Sequence, residues 1–371
     1  MKQSDTWCPE IYRSIYIDRV NHDKVRIAPC CQAQGSTVDI ENLNFASDLF
    51  LTDLRTKFTA GQKPVACSRC WQAEELGQKS RRQSAIEFFN LDKSDTTVTL
   101  ESIDHNVTWA CNLACIMCNP NYSSTWANEL KLNKSQLTTL GRSLIKSNGF
   151  LEKLNLHNLK KLHFNGGEPL LNDDHLTILE QLNDQQVLKD VFISYNTNGT
   201  VFPSQKVIEL WKKTKLVKLF FSIDATEKAF EYVRWPAKWD QTQQNLLDMK
   251  NQLPGNVMFG FNITVGCYNI FELADVWKWF EHNMQTNREG DLSDFSMQFA
   301  YNFDLQNLKK QVVTDAIANL ATIPQFNGIV AHLGLQINYK ESSDWINELE
   351  TIDSRRNTSW RDSLKIGKYY Q

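Results

Sequence analysis

The sequence predicts an α/β protein in which parallel strands are joined by helices. From about residue 98 onward, short apolar runs typical of buried strands alternate with amphipathic helical segments. Three cysteines lie within eight residues directly after the first of these strands, and five further cysteines precede residue 71. Alternation of strand and helix favours βαβ units in a parallel sheet. Clustered cysteines in a chain of this size favour metal ligation over disulfides.

Composition limits the class of protein. The chain has 371 residues, of which 42% are hydrophobic and 22% charged, and this suits a packed core in about two or three domains. The net charge of −3 argues against strong non-specific binding to nucleic acid. No run reaches the roughly 18 apolar residues of a membrane span, and the first residues contain no apolar signal core. We therefore expect a cytoplasmic protein without a membrane anchor.

Residues 1–97 are predicted to form a first unit around a β-hairpin. The segments S-I-Y-I-D and K-V-R-I-A alternate apolar and polar residues on either side of a turn at 21–23. A helix is expected near 47–60, and residues 71–97 are predicted to form a helix and a linker. The basic run at 79–82 is predicted to be a solvated face or, alternatively, a surface that attracts an anionic partner.

Four cysteines of this unit, Cys8, Cys30, Cys67 and Cys70, are enough to saturate one metal site. Structural zinc accepts four thiolates, and a four-iron cluster does so too, so both metals remain open from the residues alone. Cys31 is a fifth thiol. Because adjacent side chains of a strand point in opposite directions, only one of Cys30 and Cys31 is expected to be a ligand.

Six strands alternate with helices in the region that follows. The predicted strands are Glu101–Trp109, Lys161–Phe164, Val191–Asn196, Val217–Ile223, Val257–Val265 and Phe295–Tyr301. The predicted helices include Asp174–Leu182, Gln205–Lys213 and Ile270–Phe280, and Ser204 is a plausible N-cap of the second. Six units are too few for a closed eight-unit barrel, and their crossovers should be right-handed. In parallel α/β barrels, chemistry collects at the carboxyl ends of the strands.

The first of these strands leads into V-T-W-A-C-N-L-A-C-I-M-C-N, which contains Cys111, Cys115 and Cys118. Three thiolates cannot complete a tetrahedral zinc site. They can hold an iron–sulfur cubane and leave one iron open to a ligand that is not protein. A redox or zinc knuckle that has lost a ligand is the alternative.

The second strand is followed by N-G-G-E-P. Gly166 and Gly167 permit a close backbone approach to a ligand, and the carboxylate of Glu168 can accept from an ammonium group; an ordinary glycine-rich turn is the alternative. C-x3-C-x2-C followed one βα unit later by G-G-E-P resembles the radical SAM superfamily. The resemblance implies a partial (β/α)6 TIM-like barrel over residues 98–304. It also implies that the open iron chelates S-adenosylmethionine (SAM), whose reductive cleavage gives a 5′-deoxyadenosyl radical that abstracts hydrogen.

The resemblance further implies a set of SAM contacts at the strand ends. Glu168 is expected to hold the ammonium group, Ser222 the ribose and Arg234 the carboxylate. Four further residues are expected at the barrel mouth or near the adenine: Asn196, Asn198, Ile263 and Val265. The alternatives are an asparagine–glycine turn for the asparagines, a surface ion pair for Arg234 and plain barrel core for the two aliphatic residues.

Cys267 closes the fifth strand and has two possible roles. A thiol facing the substrate could return a hydrogen atom to a substrate radical, as in radical SAM peptide epimerases. The alternative is a buried cysteine that only fills core space.

The N-terminal cysteines add a second resemblance. A hairpin with an early and a later cysteine, followed by a distant C-x2-C, resembles the twitch module, a shorter relative of the SPASM module. Both modules hold auxiliary four-iron clusters, so the resemblance implies two [4Fe-4S] clusters in this chain. One departure is the order, because such modules usually follow the barrel and this one precedes it.

These resemblances imply an enzyme that modifies a peptide or protein by crosslinking, dehydrogenation or epimerisation. Oxidation of a small polyol or aminocyclitol is the runner-up, and RNA modification is a third possibility. A zinc-stapled binding protein is the non-enzyme alternative. An electron donor such as flavodoxin or ferredoxin is expected. Residues 305–371 are predicted to be a helical extension that caps the barrel or recognises substrate.

Overall fold

The computed structural model describes residues 6–20, 23–75, 79–132, 153–284, 295–300, 302–335 and 342–370. The chain divides into two compact units. The first comprises 1–109, 133–195 and 204–217, and the second comprises 110–132, 196–203 and 218–371. The regions predicted from the sequence, 1–97, 98–304 and 305–371, are not the units of this division, and their boundaries stay predictions.

Nine strands lie in the described part of the chain. They are β1 (Ser14–Arg19), β2 (Lys24–Ala28), β3 (Ser36–Asp39), β4 (Ser102–Thr108), β5 (Lys161–Gly166), β6 (Phe192–Thr197), β7 (Leu216–Phe221), β8 (Val257–Val265) and β9 (Phe295–Phe299). All six strands predicted between 101 and 301 are present, so this part of the prediction is confirmed. β5 continues two residues beyond its predicted end because Gly166 still pairs with Thr108 of β4.

The α-helices of the same ranges connect these strands and follow them. They are α1 (Glu10–Arg13), α2 (Leu49–Thr59), α3 (Ser68–Glu75), α4 (Arg81–Phe89), α5 (Ser124–Glu129), α6 (Asp174–Asp184), α7 (Gln205–Trp211), α8 (Glu227–Val233), α9 (Trp239–Gln252), α10 (Leu273–Asn283), α11 (Lys310–Leu320), α12 (Asn327–Leu335), α13 (Asp344–Arg356) and α14 (Trp360–Ser363). Ser204 caps α7 as predicted, since its hydroxyl accepts from the amide of Val207 at 3.4 Å. No helix described here is both long and apolar enough to span a membrane.

The strands of the first unit follow the order β3-β2-β1-β4-β5-β6. The predicted hairpin is confirmed, because β1 and β2 pair in antiparallel register. β1 also pairs in parallel with β4, and β4, β5 and β6 are parallel to one another. The hairpin therefore extends the same sheet that carries the G-G-E-P strand.

One face of this sheet forms the core of the first unit. Phe164 of β5 and Tyr195 of β6 are fully buried, with ring centroids 4.8 Å apart, and Trp211 of α7 lies 5.3 Å from Tyr195. The hydroxyl of Tyr195 accepts from the indole of Trp211 at 3.4 Å, so the large aromatic cluster keeps its polar atom satisfied.

The second unit contains β7, β8 and β9 in that order, with β8 and β9 parallel. Its core is also aromatic. Phe261 of β8 is fully buried and packs against Phe280 of α10 at 4.8 Å between ring centroids. The unit thus buries the apolar side of β8 under the helix that follows it.

The two arginines of the basic run at 79–82 do not form the predicted solvated face, whereas Lys79 is exposed. Arg81 binds the carboxylate of Glu10, and Arg82 forms a bidentate pair with Glu74 at 2.9 and 2.7 Å. The guanidinium of Arg82 also lies 5.2 Å from the ring centre of Trp71. The prediction was wrong for these two arginines, because acidic and aromatic partners distant in sequence draw them inward.

Candidate functional site

The loop that carries Cys111, Cys115 and Cys118 belongs to the second unit and is fastened to α5. The carbonyl of Cys111 accepts from the hydroxyl of Thr125 at 2.6 Å, and that of Cys115 accepts from the indole of Trp126 at 2.7 Å. Cys115 is buried, and the other two cysteines are half-buried. Side chains of α5 therefore satisfy two carbonyls of this loop, and its shape depends on them.

Two further segments of the second unit hold the other side of the same loop. The amides of Ala114 and Ile116 donate to the carbonyls of Trp235 at 2.6 Å and Val233 at 3.0 Å. Arg356, at the end of α13, donates to the carbonyl of Ala114 at 2.8 Å. The C-terminal extension therefore contacts the cysteine loop directly, as a cap on this part of the unit would.

Asn198 contacts the cysteine loop through a side-chain network. Its amide nitrogen donates to the side-chain oxygen of Asn112 at 2.9 Å, and its own oxygen accepts from the backbone and hydroxyl of Thr200. The second predicted asparagine, Asn196, lies 3.5 Å from the side chain of Asn262 in β8. Asn198 thus supports the residue next to Cys111, which is a role that the sequence did not suggest.

Arg234 lies beside a cluster cysteine rather than on the surface. Its Nη1 donates to the sulfur of Cys115 at 3.6 Å, and its Nη2 forms an ion pair with the carboxylate of Asp224. The other carboxylate oxygen of Asp224 accepts from the amide of Thr264 at 2.7 Å. The arginine side chain is 10% exposed and that of Asp224 is fully buried, so the predicted alternative of a surface ion pair was wrong.

The electrostatics of the loop favour the protonated thiols of Cys115 and Cys118. Burial raises the pKa of the Cys115 thiol, and the nearby guanidinium of Arg234 opposes that rise. Burial and then the neighbouring Cys115 raise the pKa of Cys118 to about 12. Thiols ligate metals as thiolates, so loading a metal here must release protons.

The G-G-E-P turn belongs to the first unit. Gly166 has φ +122°, and a Cβ at this position would lie 2.2 Å from the carbonyl oxygen of Thr108. The glycine is needed because β4 and β5 approach each other closely here, where the amide of Gly167 donates to that same carbonyl. Glu168 is fully buried, and its carboxylate accepts from the amide of Leu170 at 3.1 Å.

The remaining predicted SAM contacts lie on β8 and just after β7. Ile263 and Val265 alternate with Asn262 and Thr264 along β8 and are buried on the same side as Phe261. This placement favours the alternative of plain core for both. Ser222 is half-buried, and its amide donates to the carbonyl of Thr197 at 2.8 Å.

Cys267 lies in a short 3-10 turn after β8 and is fully buried. Its thiol donates to the carbonyl of Asp304 at 2.7 Å. Burial, followed by the charge of Asp304, raises its pKa far above the ordinary range. A thiol engaged in this way favours the core-filling alternative over the hydrogen donor.

Comparison with known proteins identifies the family of the region that holds Cys111, Cys115, Cys118 and the G-G-E-P turn. A model of the Radical SAM superfamily matches residues 105–275. The chain carries a radical SAM domain. Proteins of this superfamily are enzymes that use a four-iron cluster and SAM, and the three cysteines and G-G-E-P fall within the matched residues.

Curated relatives of the radical SAM domain differ in what is known of them. An uncharacterized protein, MJ0907 of Methanocaldococcus jannaschii, is 27% identical over 62% of this chain and 69% of its own length. The GTP 3′,8-cyclase of Haemophilus influenzae is 21% identical over 57% of this chain and 59% of its own length. The GTP 3′,8-cyclase of Clostridium acetobutylicum is 29% identical over 32% of this chain and 33% of its own length. The chain therefore spans about a third to two thirds of these relatives.

Solved structures give weaker similarity. One is anSMEcpe with bound AdoMet, at 17% identity and a TM-score of 0.41, covering 62% of this chain and 59% of that one. Another is SuiB of Streptococcus suis, at 11% identity and a TM-score of 0.35, and the match covers 84% of this chain and 69% of SuiB. TM-scores this low establish neither a shared fold nor a shared substrate.

Outside the matched residues, four cysteines of the first unit line one pocket. Cys8, Cys30, Cys67 and Cys70 all border it, and its cavity volume is about 20 Å³. The wall between them is apolar: Trp7, Ile11, Tyr12, Phe58 and Trp71 pack together with Cys8, and Cys67 packs against this group. The spacing in the sequence predicted this set of four, although their convergence comes from the fold.

Burial raises the pKa of the Cys8 and Cys70 thiols, and the backbone amides of Glu10 and Arg82 respectively oppose that rise. Amides directed at sulfur are among the protein groups that set the potential of an iron–sulfur cluster. Across the described ranges, no three His, Cys, Asp or Glu side chains are arranged to bind a single metal ion.

Cys31 is separated from this pocket. It is exposed, and its sulfur lies 3.2 Å from Nη1 of Arg81. Although the residue is exposed, partial desolvation by the surrounding protein raises the pKa of Cys31 to about 11, and the charge of Arg81 opposes this rise. Of the two adjacent cysteines, Cys30 is therefore the one that borders the pocket.

A row of polar side chains on the other face of the first unit's sheet was not singled out from the sequence. His163 of β5 contacts the hydroxyl of Ser194 at 2.7 Å, and Asn165 donates to Asp104 of β4 at 2.8 Å. The signal was present in the alternation of S-I-D-H-N and K-L-H-F-N, whose polar members fall on one face except His105, which shares the parity of Ile103.

Proposed function

We propose that the chain is a radical SAM enzyme with an auxiliary four-iron cluster and that it oxidises or otherwise modifies a peptide or protein. The observation that carries this proposal is the pairing of two cysteine sets, three in the radical SAM domain and four around one pocket of the first unit. Flavodoxin or ferredoxin is the proposed class of electron donor.

The cysteine loop of the radical SAM domain fits a cluster with three protein ligands. Its backbone is fixed from both sides by Trp126 and Arg356, so the backbone of the loop is held before any metal binds. When bound, the cluster supplies the electron for reductive cleavage of SAM. The chain's own residues then have to hold SAM, orient it and exclude water.

We assign the SAM contacts as follows. Glu168 holds the ammonium group, because its buried carboxylate follows two glycines that allow a close approach. Ser222 is assigned to the ribose of SAM, and Asn196 to the barrel mouth. Asn198 is assigned to the loop that carries the cluster, through its bond to Asn112.

The second cysteine set fits a cluster with four protein ligands. Its four thiols border one pocket with an apolar wall, a setting that suits an iron–sulfur cluster saturated by cysteines. A cluster saturated by protein ligands cannot bind substrate through iron, so we assign it to electron transfer. Accepting the second electron of a net oxidation is the simplest such role.

A nucleotide is the second candidate substrate. Relatives of the radical SAM domain include GTP 3′,8-cyclases. The polar row of His163, Ser194, Asn165 and Asp104 would suit any substrate rich in hydrogen-bonding groups. Peptide and nucleotide substrates therefore have to be separated by experiment.

The test is SAM cleavage by anaerobically reconstituted protein with dithionite. We expect 5′-deoxyadenosine from the wild type even without substrate. Glu168→Gln should weaken SAM binding by about 2–5 kcal/mol, the effect of removing one partner of a buried charge pair. Unchanged SAM affinity in this variant would show that Glu168 is misassigned.

Substrate class is tested in the same assay. Faster 5′-deoxyadenosine formation on addition of GTP would favour the nucleotide. No response to GTP, with stimulation by a short precursor peptide encoded beside the gene, would favour the peptide.

A further inference from the structure

We propose that Arg234 raises the reduction potential of the radical SAM cluster by donating a hydrogen bond to the sulfur of Cys115. Asp224 holds the guanidinium in position and moderates its effect. This inference rests on the proposed function, because it requires a cluster on Cys111, Cys115 and Cys118.

The geometry gives each terminal nitrogen of Arg234 a partner. Nη1 lies 3.6 Å from the sulfur of Cys115, and Nη2 forms the ion pair with Asp224. Asp224 is fixed in turn by the amide of Thr264 at 2.7 Å, while its carbonyl accepts from the side chain of Asn269 at 2.9 Å. The guanidinium is therefore held at the sulfur by a buried carboxylate whose other oxygen is anchored by the amide of Thr264.

A buried ion pair is weak evidence for a role in stability. Removing two charges from water is costly, and apolar residues of similar volume often stabilise a protein as well or better. Asp224 is fully buried and Arg234 is 8% exposed, so this cost applies to both. Contact with a cluster ligand gives the pair a function that apolar residues could not supply.

The direction of the effect follows from charge. Reduction adds one electron to the cluster, so a nearby positive charge and a donor to sulfur stabilise the reduced form more than the oxidised form. Arginine stays protonated under all ordinary conditions, so this stabilisation does not depend on pH. The carboxylate of Asp224 acts in the opposite direction from a greater distance.

The family resemblance instead assigns Arg234 to the carboxylate of SAM. The two roles make different predictions. A guanidinium that binds SAM sets the affinity for SAM and leaves the potential of the SAM-free cluster alone. A guanidinium that donates to Cys115 sets that potential before SAM is added.

The experiment measures the midpoint potential of the radical SAM cluster by EPR-monitored redox titration of the full, reconstituted chain without SAM. The relevant signal is identified as the one that changes when SAM is added. Affinity for SAM is measured alongside by equilibrium dialysis. The variants are Arg234→Gln, Asp224→Asn and the double variant, which leaves no unpaired buried charge.

We expect Arg234→Gln to lower the equilibrium constant for reduction at least tenfold, which is about 59 mV for a one-electron couple. Asp224→Asn should shift the potential in the opposite direction. If either single variant fails to load iron, the potential of the double variant tests the proposal. The double variant should also be harder to reduce than the wild type, because the hydrogen bond to the sulfur of Cys115 is lost.

An unchanged potential in Arg234→Gln with weaker SAM binding would overturn the inference. Shifts of the same sign in both single variants would also overturn it, because that pattern indicates general disruption of the loop. Failure of the proposed function looks different. The wild type itself would then show no SAM-sensitive signal and form no 5′-deoxyadenosine.

Discussion

The burial of Cys267 distinguishes between two possible roles of this residue. From the sequence it is either a hydrogen donor or a core cysteine at the end of β8. In the fold its side chain is fully buried and donates to the carbonyl of Asp304. A thiol in such a position fills space and satisfies a carbonyl, and both effects concern stability rather than chemistry.

We therefore predict that Cys267→Ala leaves both SAM cleavage and substrate turnover unchanged. The free energy of unfolding should fall by about 1–2 kcal/mol, because a buried side chain loses volume and a hydrogen bond. Chemical denaturation and product analysis check the two parts. Turnover that disappears while SAM cleavage persists would restore the hydrogen-donor role.

Glu272 is a buried carboxyl group whose titration should be visible in stability. It is 2% exposed and accepts from the amide of Lys365 at 2.7 Å. Burial raises its pKa from 4.5 to about 7, against the opposing effect of Lys365. Because the folded pKa is the higher one, the folded state binds the proton more tightly, and stability falls as the pH rises from about 4.5 to about 7.

We predict that Glu272→Gln removes this fall. Its free energy of unfolding, compared with that of the wild type, should increase by about 3 kcal/mol between pH 4.5 and pH 8. Denaturant unfolding at several pH values measures the difference. Parallel pH profiles for the two proteins would contradict the raised pKa.

At the scale of elements, α13 is the part of the C-terminal extension that contacts the cysteine loop. Arg356 donates to the carbonyl of Ala114, forms two bonds of 3.1 Å to Glu129 and lies 4.6 Å from the ring centre of Trp126. Its side chain is 3% exposed. A buried charged side chain with these contacts through Nε and Nη2 fixes the helix against the loop.

We predict that Arg356→Gln loosens this loop. The variant should lose about 2–4 kcal/mol of stability, because Glu129 is left without its main partner, and it should release iron to a chelator faster than the wild type. Arg355→Gln is the matched control. Arg355 contacts the same carboxylate, but its side chain is 31% exposed and its contact is longer, at 3.4 Å. Equal iron loss from both variants would show that α13 does not support the loop.

The elements that the sequence predicted well are those with a strong local period. The strands β4 to β9 and the cap at Ser204 follow from alternation and capping rules that need only neighbouring residues. Contacts across long separations could not be predicted this way. The bond from Arg356 to Ala114 and the bond from Asn198 to Asn112 join residues that no local pattern connects.

The side of β8 that faces the core could have been found from the same rules. Ile263 and Val265 share the parity of Phe261, whereas Asn262 and Thr264 have the opposite parity. The family resemblance implied contacts to the adenine of SAM for Ile263 and Val265. Strict alternation predicts that they are covered by α10 instead.

At the scale of the whole molecule, each compact unit contains its own set of cysteines. Cys8, Cys30, Cys67 and Cys70 belong to the first unit, and the three cysteines of the radical SAM motif belong to the second. The sequence predicted both sets from spacing. It left open which of Cys30 and Cys31 is a ligand, and only the fold separates a buried thiol at the pocket from an exposed one beside Arg81.

Iron and acid-labile sulfide analysis after anaerobic reconstitution tests the claim of two clusters most directly. The wild type and Cys31→Ala should each contain about eight irons per chain, and Cys30→Ala should contain about four. Replacing the three cysteines of the radical SAM motif by Ala should also leave about four. About four irons in the wild type, unchanged by Cys30→Ala, would contradict the second cluster and leave the N-terminal pocket without iron.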